Sequence, residues 1–89
     1  MADVKGQSYI CPVCGYDGLE EPAYDVHGYS SFEICPCCGV EFGYDDATRS
    51  HEDLRAEWLA NGARWWSKRG KPIGWSPQKQ LRDAGFLPQ

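Results

Sequence analysis

Apolar and polar residues alternate in two short stretches of the first half of the chain. Phe32-Glu33-Ile34 and Val40-Glu41-Phe42-Gly43-Tyr44 both follow the period of two that is typical of a half-buried β-strand. We expect these strands to form an antiparallel hairpin, with Tyr9-Ile10 as a third short strand. One face of this three-stranded sheet would carry five apolar side chains: Phe32, Ile34, Val40, Phe42 and Tyr44.

The second half of the chain has the signals of a helix. Ser50-His51-Glu52-Asp53 resembles a capping box, and its acidic residues lie in the first turn, where the helix dipole favours negative charge. Leu54, Trp58 and Leu59 follow at helical spacing. The pattern predicts a helix from His51 to Ala60, ended by Asn61-Gly62 because glycine is the usual residue just past a helix end.

A second, shorter helix is predicted to begin at Ser76-Pro77, since serine suits the N-cap and proline the first helical position. Leu81 lies inside this helix, and Gly85 with Phe86 fits a Schellman end, in which Phe86 folds back on Leu81. Three of the four tryptophans lie between the two helices. We expect this tryptophan-rich helical segment to cover the sheet.

Two segments lack a periodic pattern. We expect a loose start up to Ser8. The residues from Tyr16 to Ser31 are rich in Gly, Asp, Glu and Pro, which predicts a loop with one short strand around Tyr24 to Val26.

Two near-identical cysteine turns stand out in this framework. Cys11-Pro12-Val13-Cys14-Gly15 and Cys35-Pro36-Cys37-Cys38-Gly39 both read C-P-x-C-G, with twenty residues between them. Two such turns face to face supply the four thiolates of a tetrahedral site, and the spacing is that of a four-cysteine zinc site. We therefore predict one zinc ion on four ligands: Cys11, Cys14, Cys35 and Cys38.

The fifth cysteine and the two histidines are weaker candidates. Cys37 occupies the place of Val13 in the first turn, so we interpret it as a small, partly buried apolar residue. The alternative is a redox-sensitive thiol or a substitute ligand. His27 could ligate a metal, but four better-placed cysteines make this unnecessary, and we expect it to be solvated or hydrogen-bonded. His51 could also coordinate a metal, but at a helix start we expect it to be exposed.

The size and composition of the chain are those of one small domain. At 89 residues an apolar core alone gives marginal stability, which a structural metal would raise. No charged segment followed by an apolar run opens the sequence, and no apolar stretch approaches membrane-spanning length. We expect a soluble, cytoplasmic protein with no membrane partner, in which paired cysteines bind metal rather than form disulfides.

Charge is divided unevenly along the chain. Residues 1–50 hold nine acidic and two basic residues and carry −7, whereas residues 51–89 carry +3. Such blocks either pair within the molecule or bind a partner. The acidic half offers a candidate surface for a protein partner, made of Asp17, Glu20, Glu21, Asp25, Asp45 and Asp46.

We find no catalytic residues and predict that the protein is not an enzyme. A site closed by four thiolates leaves no position for water or substrate. Asp45-Asp46 could be a catalytic pair, but acidic residues at this position after a strand commonly cap turns and helices, which is the interpretation that we prefer.

The chain resembles the bacterial cysteine-rich CPCC family. The resemblance rests on the stretch from Cys35 to Asp46, the first cysteine turn, Leu54, Trp58, Gly62 and Trp65-Trp66. The resemblance extends from Tyr9 to about Gly85. Members of that family are small and mostly of undefined role, and some occur among the immunity-type proteins encoded near polymorphic toxins. The resemblance implies a binding role, with the four cysteines as its only functional residues.

Two alternative functions stay open. The C-P-x-C-G turns are also similar to those of rubredoxin, where four thiolates hold iron for electron transfer, and tetrahedral S₄ geometry suits both metals. The spacing of the turns and the extension from Ser50 onward differ from rubredoxin. The second alternative is nucleic-acid binding, because Trp65 and Trp66 are interleaved with four bases, Arg64, Lys68, Arg69 and Lys71.

The predicted fold is a single small α+β domain over residues 1–89. It consists of a zinc ribbon at 9–46, with a three-stranded antiparallel sheet, packed against a tryptophan-rich helical extension at 50–86. The predicted function is non-catalytic binding of another protein, with a basic toxin as a candidate partner approached by charge complementarity.

Overall fold

The structure is a computed structural model that describes residues 9–87. It has two helices, α1 at His51–Ala60 and α2 at Pro77–Asp83, and two isolated antiparallel bridges. The loose start expected up to Ser8 lies outside the described residues. Within the described part of the chain, neither helix has the length and apolar character needed to span a bilayer.

Helix α1 forms where the capping signals predict it. The Ser50 side chain accepts a hydrogen bond from the Asp53 amide at 3.0 Å, as an N-cap residue does. At the other end Gly62 takes a φ of 97°, and the Ala63 amide donates to the Trp58 carbonyl at 2.8 Å. This is the Schellman ending, so both predicted ends of the helix are confirmed.

Helix α2 is confirmed in the same way. The Ser76 side chain caps the Lys79 amide, and Pro77 is the first helical residue. Gly85 has a φ of 84°, and the Phe86 amide donates to the Leu81 carbonyl at 2.8 Å. Leu81 is fully buried, so even this two-turn helix is held by packing as well as by its caps.

The predicted three-stranded sheet is absent from residues 9–87, where the two bridges join Tyr24 to Ser30 and Ile34 to Glu41. The reason is that each cysteine turn closes on itself. The Cys11 amide donates to the Tyr16 carbonyl and the Cys35 amide to the Val40 carbonyl. The Tyr9 carbonyl accepts from the Leu19 amide, so the predicted first strand bonds to the chain just after its own turn and not to the second turn. The short strand expected around Tyr24 is likewise reduced to a single bridge.

The predicted apolar face also fails, because of the pairing register. Ile34 lies opposite Glu41, so Cys35 lies opposite Val40, and neighbouring residues of a strand face opposite sides. Val40 and Phe42 therefore share the buried side with Cys35, whereas Ile34 faces outward with Glu41. Past the bridge each of the two segments reaches a residue with positive φ, Phe32 at 60° and Gly43 at 92°, where regular strand pairing ends. Phe32, Ile34 and Tyr44 are exposed.

The core is built around the cysteine turns. Four cysteines are fully buried there beside aliphatic and aromatic residues from both halves of the chain. Phe42, Leu54, Trp58 and Leu81 supply its larger apolar side chains. Trp65 and Trp75 pack edge to face at its border, with ring centroids 5.3 Å apart. The tryptophan-rich segment therefore covers the cysteine turns themselves and not a sheet.

Candidate metal centre

The two cysteine turns have the same backbone structure, as their matching sequences predict. In the first, the Gly15 amide donates to the Cys11 carbonyl at 2.9 Å, and in the second the Gly39 amide donates to the Cys35 carbonyl at 2.8 Å. Both glycines have positive φ, 87° and 81°, a conformation that residues with a side chain rarely adopt. Each turn thus presents its two cysteines from one tight loop.

The structure brings together the four cysteines that the spacing selects. The Sγ atoms of Cys11, Cys14, Cys35 and Cys38 all lie within 4.8 Å of one another. Cys11 Sγ lies 3.8 Å from Cys38 Sγ, and Cys14 Sγ lies 3.7 Å from Cys35 Sγ. Zinc–sulfur bonds of about 2.3 Å in a tetrahedron require sulfurs about 3.8 Å apart. The donor set and its spacing therefore fit one tetrahedral metal ion.

Burial and mutual contact perturb these thiols. Hydrogen bonds from Cys11 and Cys14 lower the pKa of the Cys35 thiol. Hydrogen bonding to Cys11, followed by Cys35, raises the pKa of Cys14, and contact with Cys11 raises the pKa of Cys38. Without a cation such a cluster retains protons that a metal must displace, because thiolates and not thiols are the metal ligands.

Two side chains from the helices hold the first cysteine turn. Arg55 of α1 donates from Nε to the Val13 carbonyl and from a terminal nitrogen to the Pro12 carbonyl, both at 2.8 Å. Gln80 of α2 donates from Nε2 to the Cys14 carbonyl at 2.9 Å. Three successive carbonyls of the turn thus have donors from the second half of the chain. Sequence reasoning missed Arg55 and Gln80, since no local pattern marks them.

The second turn is held by the backbone that follows α1. The Trp66 amide donates to the Cys37 carbonyl and the Ser67 amide to the Pro36 carbonyl, both at 2.8 Å. The Trp66 ring lies so close to Gly39 that a Cβ there would be 2.4 Å from Cδ1. The glycine is needed for this approach as well as for its φ.

Cys37 is buried with no exposed surface, as its interpretation as an apolar residue predicts. Its Sγ accepts a hydrogen bond from Gln80 Nε2 at 3.3 Å. Its sulfur lies outside the group of four that could hold an ion. The exposure that a redox-sensitive thiol needs is therefore lacking in this structure.

The histidines and the acidic pair lie away from the cysteines. His27 is exposed. His51 is half-buried and not exposed as predicted, because its Nε2 lies 2.7 Å from Asp46 Oδ2. The same oxygen also accepts from the Tyr24 hydroxyl at 2.5 Å. Asp46 Oδ1 accepts from the Gly43 amide at 2.7 Å, and Asp45 accepts from the Glu41 amide at 2.9 Å. Both carboxylates cap backbone amides of one turn.

Asp46 joins three segments of the chain through a carboxylate of which only 2% is exposed. Burial works to raise its pKa, but the hydrogen bonds from Tyr24 and His51 lower it overall. Burial, together with the bond to Asp46, raises the pKa of Tyr24 to about 12. Asp46 is therefore an internal anion, and it does not belong to the acidic surface predicted from the sequence.

The basic residues of the second half do not pair with the acidic first half as blocks. Ion pairs within residues 9–87 join Arg49 to Glu57, Lys79 to Asp83 and His51 to Asp46. The exposed bases that follow α1 take part in none of them: Arg64, Lys68, Arg69 and Lys71.

The chain is similar to two proteins of Bacillus subtilis (strain 168), both described as uncharacterized. It is 51% identical to YoaQ over 39 residues and 42% identical to YozI over 40 residues, in each case 43% of this chain and 33% of the relative. The match thus spans about a third of the length of these curated relatives. No protein-family model matches the chain. No solved structure matches it either.

Proposed function

We propose that Cys11, Cys14, Cys35 and Cys38 bind one zinc ion and that the ion holds the fold together without taking part in a reaction. The observation that carries this proposal is the set of four sulfurs at tetrahedral spacing, three of them fully buried. A structural zinc contributes roughly 10–16 kcal/mol of apparent binding free energy, more than a core of this size provides.

The metal is tested on the purified full chain by elemental analysis and absorption. We expect about one zinc per chain and no colour, whereas iron in an S₄ site absorbs visible light. Cys38→Ser should lose tight binding. Cys37→Ser is a closely matched control, since it makes the same change one residue earlier and should keep the ion. Equal loss in both variants, or metal-free protein with an unchanged melting temperature, would contradict the structural role.

The domain is proposed to be a non-catalytic module that binds another protein. Support comes from large apolar side chains that stay exposed in the acidic half, with Phe32 63% and Tyr44 72% exposed. Phe32 lies against Gly43, next to Tyr44 in the chain, and Ile34 faces outward beside them. Exposed aromatic residues of this kind are enriched in protein interfaces.

We propose that the partner is a basic protein. This is in keeping with the resemblance to the CPCC family, some of whose members are immunity-type proteins encoded near toxins. Asp17, Glu20 and Glu21 are exposed, and the amides of Glu20 and Glu21 donate to the carboxylate of Glu33, the residue after Phe32. Asp25 and Asp45 add acidic charge. Complementary charge would speed the encounter with a basic toxin and align the partners.

The binding role is tested by capturing a partner from the native cell on immobilised full-length protein. The double variant Phe32→Ser and Tyr44→Ser should lose the partner. Ile73→Ser is the control, since Ile73 is a fully exposed apolar residue in another loop. Binding that survives the double variant, or that is lost equally in the control, would refute this surface, and turnover of a small molecule would refute the non-catalytic role.

A further inference from the structure

The residues that follow α1 form a basic segment that makes no ion pair with the part of the chain that the structure describes. Between Arg64 and Lys71 the chain holds four bases and no acid, and all four are exposed. Every ion pair within residues 9–87 involves other side chains. Since like charges held side by side repel one another, this segment gains from binding an anion.

Three of these bases line a groove together with two tryptophans. Arg64, Lys68 and Lys71 border a cavity of about 560 Å³ whose wall includes Trp65 and Trp75. A second groove of about 420 Å³ shares Arg64 and Trp65 with the first and continues along the Trp66 ring. Glu57 lies in that second groove, but its charge is paired with Arg49 at 2.7 Å. A bound chain could therefore follow one basic and aromatic surface across both grooves.

Trp66 has the properties of a stacking platform on this surface. Its pyrrole ring rests on the backbone of Gly39, while 57% of the residue stays exposed. Hydrogen bonds from the amides of Trp66 and Ser67 to the second cysteine turn fix its position. The ring is thus held from below by the proposed metal centre, which leaves the rest of its surface open to a ligand.

The backbone of the basic segment is also fixed. Trp58 Nε1 donates to the Arg64 carbonyl at 2.9 Å, and Trp65 Nε1 donates to the Arg69 carbonyl at 3.1 Å. The first bond ties the start of the segment to α1, and the second closes a loop within the segment between Trp65 and Arg69. Its charges are therefore presented from an ordered loop, which lowers the entropy cost of binding.

We propose that this surface binds single-stranded nucleic acid, with a base stacked on Trp66 and phosphates along Arg64, Lys68 and Lys71. Unpaired bases stack on aromatic side chains, and basic residues alongside neutralise the backbone. An acidic peptide would use the charges and not the platform. The net charge of −4 does not prevent this, because the molecule measures 33 × 32 × 28 Å, about four Debye lengths at physiological salt.

This inference does not depend on the proposed protein partner, whose surface lies in the acidic half. It is tested by fluorescence anisotropy of labelled oligo(dT) and oligo(U), each of 12 nucleotides, titrated with metal-loaded full-length protein at 50 mM salt. We expect binding that weakens with salt and a preference for the single strand over a duplex of the same length, since paired bases cannot stack on the platform.

Two sets of variants separate the contribution of base stacking to affinity from that of charge. Trp66→Ala should weaken binding about 5- to 150-fold, as loss of one stacked base does, while Trp66→Phe keeps most of the affinity. Lys68→Ala with Lys71→Ala should reduce the slope of log affinity against log salt by about 1.4, since each phosphate contact on a single strand contributes about 0.7. Lys79→Ala is the control, because Lys79 is paired with Asp83 on α2.

Several outcomes would overturn the proposal. One is the absence of any anisotropy change at 50 mM salt up to 100 µM protein. Another is a Trp66→Ala variant that binds like the Lys79→Ala control, since stacking would then contribute nothing. Displacement of the oligonucleotide by an equal charge concentration of poly-glutamate would show that the groove binds any polyanion. Circular dichroism and metal content confirm that each variant is folded.

Discussion

Replacing Arg55 tests how strongly the second half of the chain holds the cysteine turns. Arg55→Ala removes two hydrogen bonds of 2.8 Å to the carbonyls of Pro12 and Val13 and the contact of the guanidinium with the Phe86 ring, 3.9 Å from its centroid. Alanine has a high helix propensity, so α1 itself should not suffer.

The size of the effect follows from the contacts. A hydrogen bond to a charged group contributes about 1.5–3 kcal/mol, and a cation–π contact about 0.5–1 kcal/mol where it is exposed. Arg55 is only half-buried, so solvent screens part of this. We expect a loss of about 2–4 kcal/mol in the free energy of unfolding, which lowers the melting temperature of so small a domain by roughly 10–20 °C.

The assay is thermal and urea unfolding of the metal-loaded protein, followed by circular dichroism, with a chelator competition for metal affinity. Arg49→Ala is the matched control, since Arg49 forms an exposed ion pair with Glu57, with side chains 43% and 54% exposed. Such pairs contribute about 0–1 kcal/mol. Arg55→Lys should lie between wild type and Arg55→Ala, because one ammonium group cannot reproduce the two-pronged contact of the guanidinium.

Metal affinity adds a second readout. Arg55→Ala removes the donors that fix the carbonyls of Pro12 and Val13, between Cys11 and Cys14. It should therefore weaken metal binding about 10- to 100-fold, as the loss of hydrogen bonds around the ligands does in other metal sites. If Arg55→Ala melts within about 2 °C of Arg49→Ala and keeps its metal equally well, the argument that Arg55 anchors the first cysteine turn is refuted.

Three further predictions concern the second cysteine turn and the buried carboxylate. Gly39→Ala should lower the free energy of unfolding by about 2–4 kcal/mol, because the new Cβ would sit at a residue with positive φ and would meet the Trp66 indole at 2.4 Å. Gly74→Ala is the control: Gly74 has a similar φ of 76° but no neighbour within 4 Å, so this substitution should cost about 1–2 kcal/mol. Equal melting temperatures of the two variants would exclude the steric effect. Asp46→Ala should lower the free energy of unfolding in urea by about 2–4 kcal/mol, since Tyr24, Gly43 and His51 lose the carboxylate to which they bond. Asp45→Ala removes one such bond and should cost about 1 kcal/mol, so the reverse order would contradict the burial argument. Because the pKa of Asp46 is lowered, its contribution to folding stability is complete above about pH 4 and is lost as the pH falls through the folded value. The pKa of Tyr24 is raised to about 12, so its protonated form stabilises the fold below about pH 10 and this stabilisation is lost towards pH 12. The stability difference between wild type and Asp46→Ala should therefore shrink at both extremes of pH, and a constant difference would contradict this prediction.

The local elements agree with the sequence because their signals are short-range. Ser50 and Ser76 cap helices within three residues, and Gly62 and Gly85 end them within one turn. The four cysteines could be selected for a similar reason, since each pair lies within one tight turn. The identity of the metal and of any partner stays a prediction, since no local pattern distinguishes zinc from iron in an S₄ site.

The failures share a physical cause as well. The alternation around Ile34 and Phe42 predicts two strands, but within residues 9–87 this part of the chain forms a single bridge, between Ile34 and Glu41. Period alone does not set the pairing register, and an odd offset sends Ile34 and Phe42 to opposite sides. The same limit applies to Asp46, whose charge looks available in the sequence. Its burial depends on Tyr24 and His51, which lie 22 and 5 residues away.

The sequence by itself determined the two helices, the two cysteine turns and the four sulfurs that can share an ion, because each depends on residues close together in the chain. Tertiary structure alone decided what packs on those turns. Arg55 and Gln80 reach the carbonyls of the first turn from 43 and 66 residues away, and the backbone at Trp66 binds the second. Contacts of that range depend on how the whole chain fills space around its core, which no stretch of sequence encodes on its own.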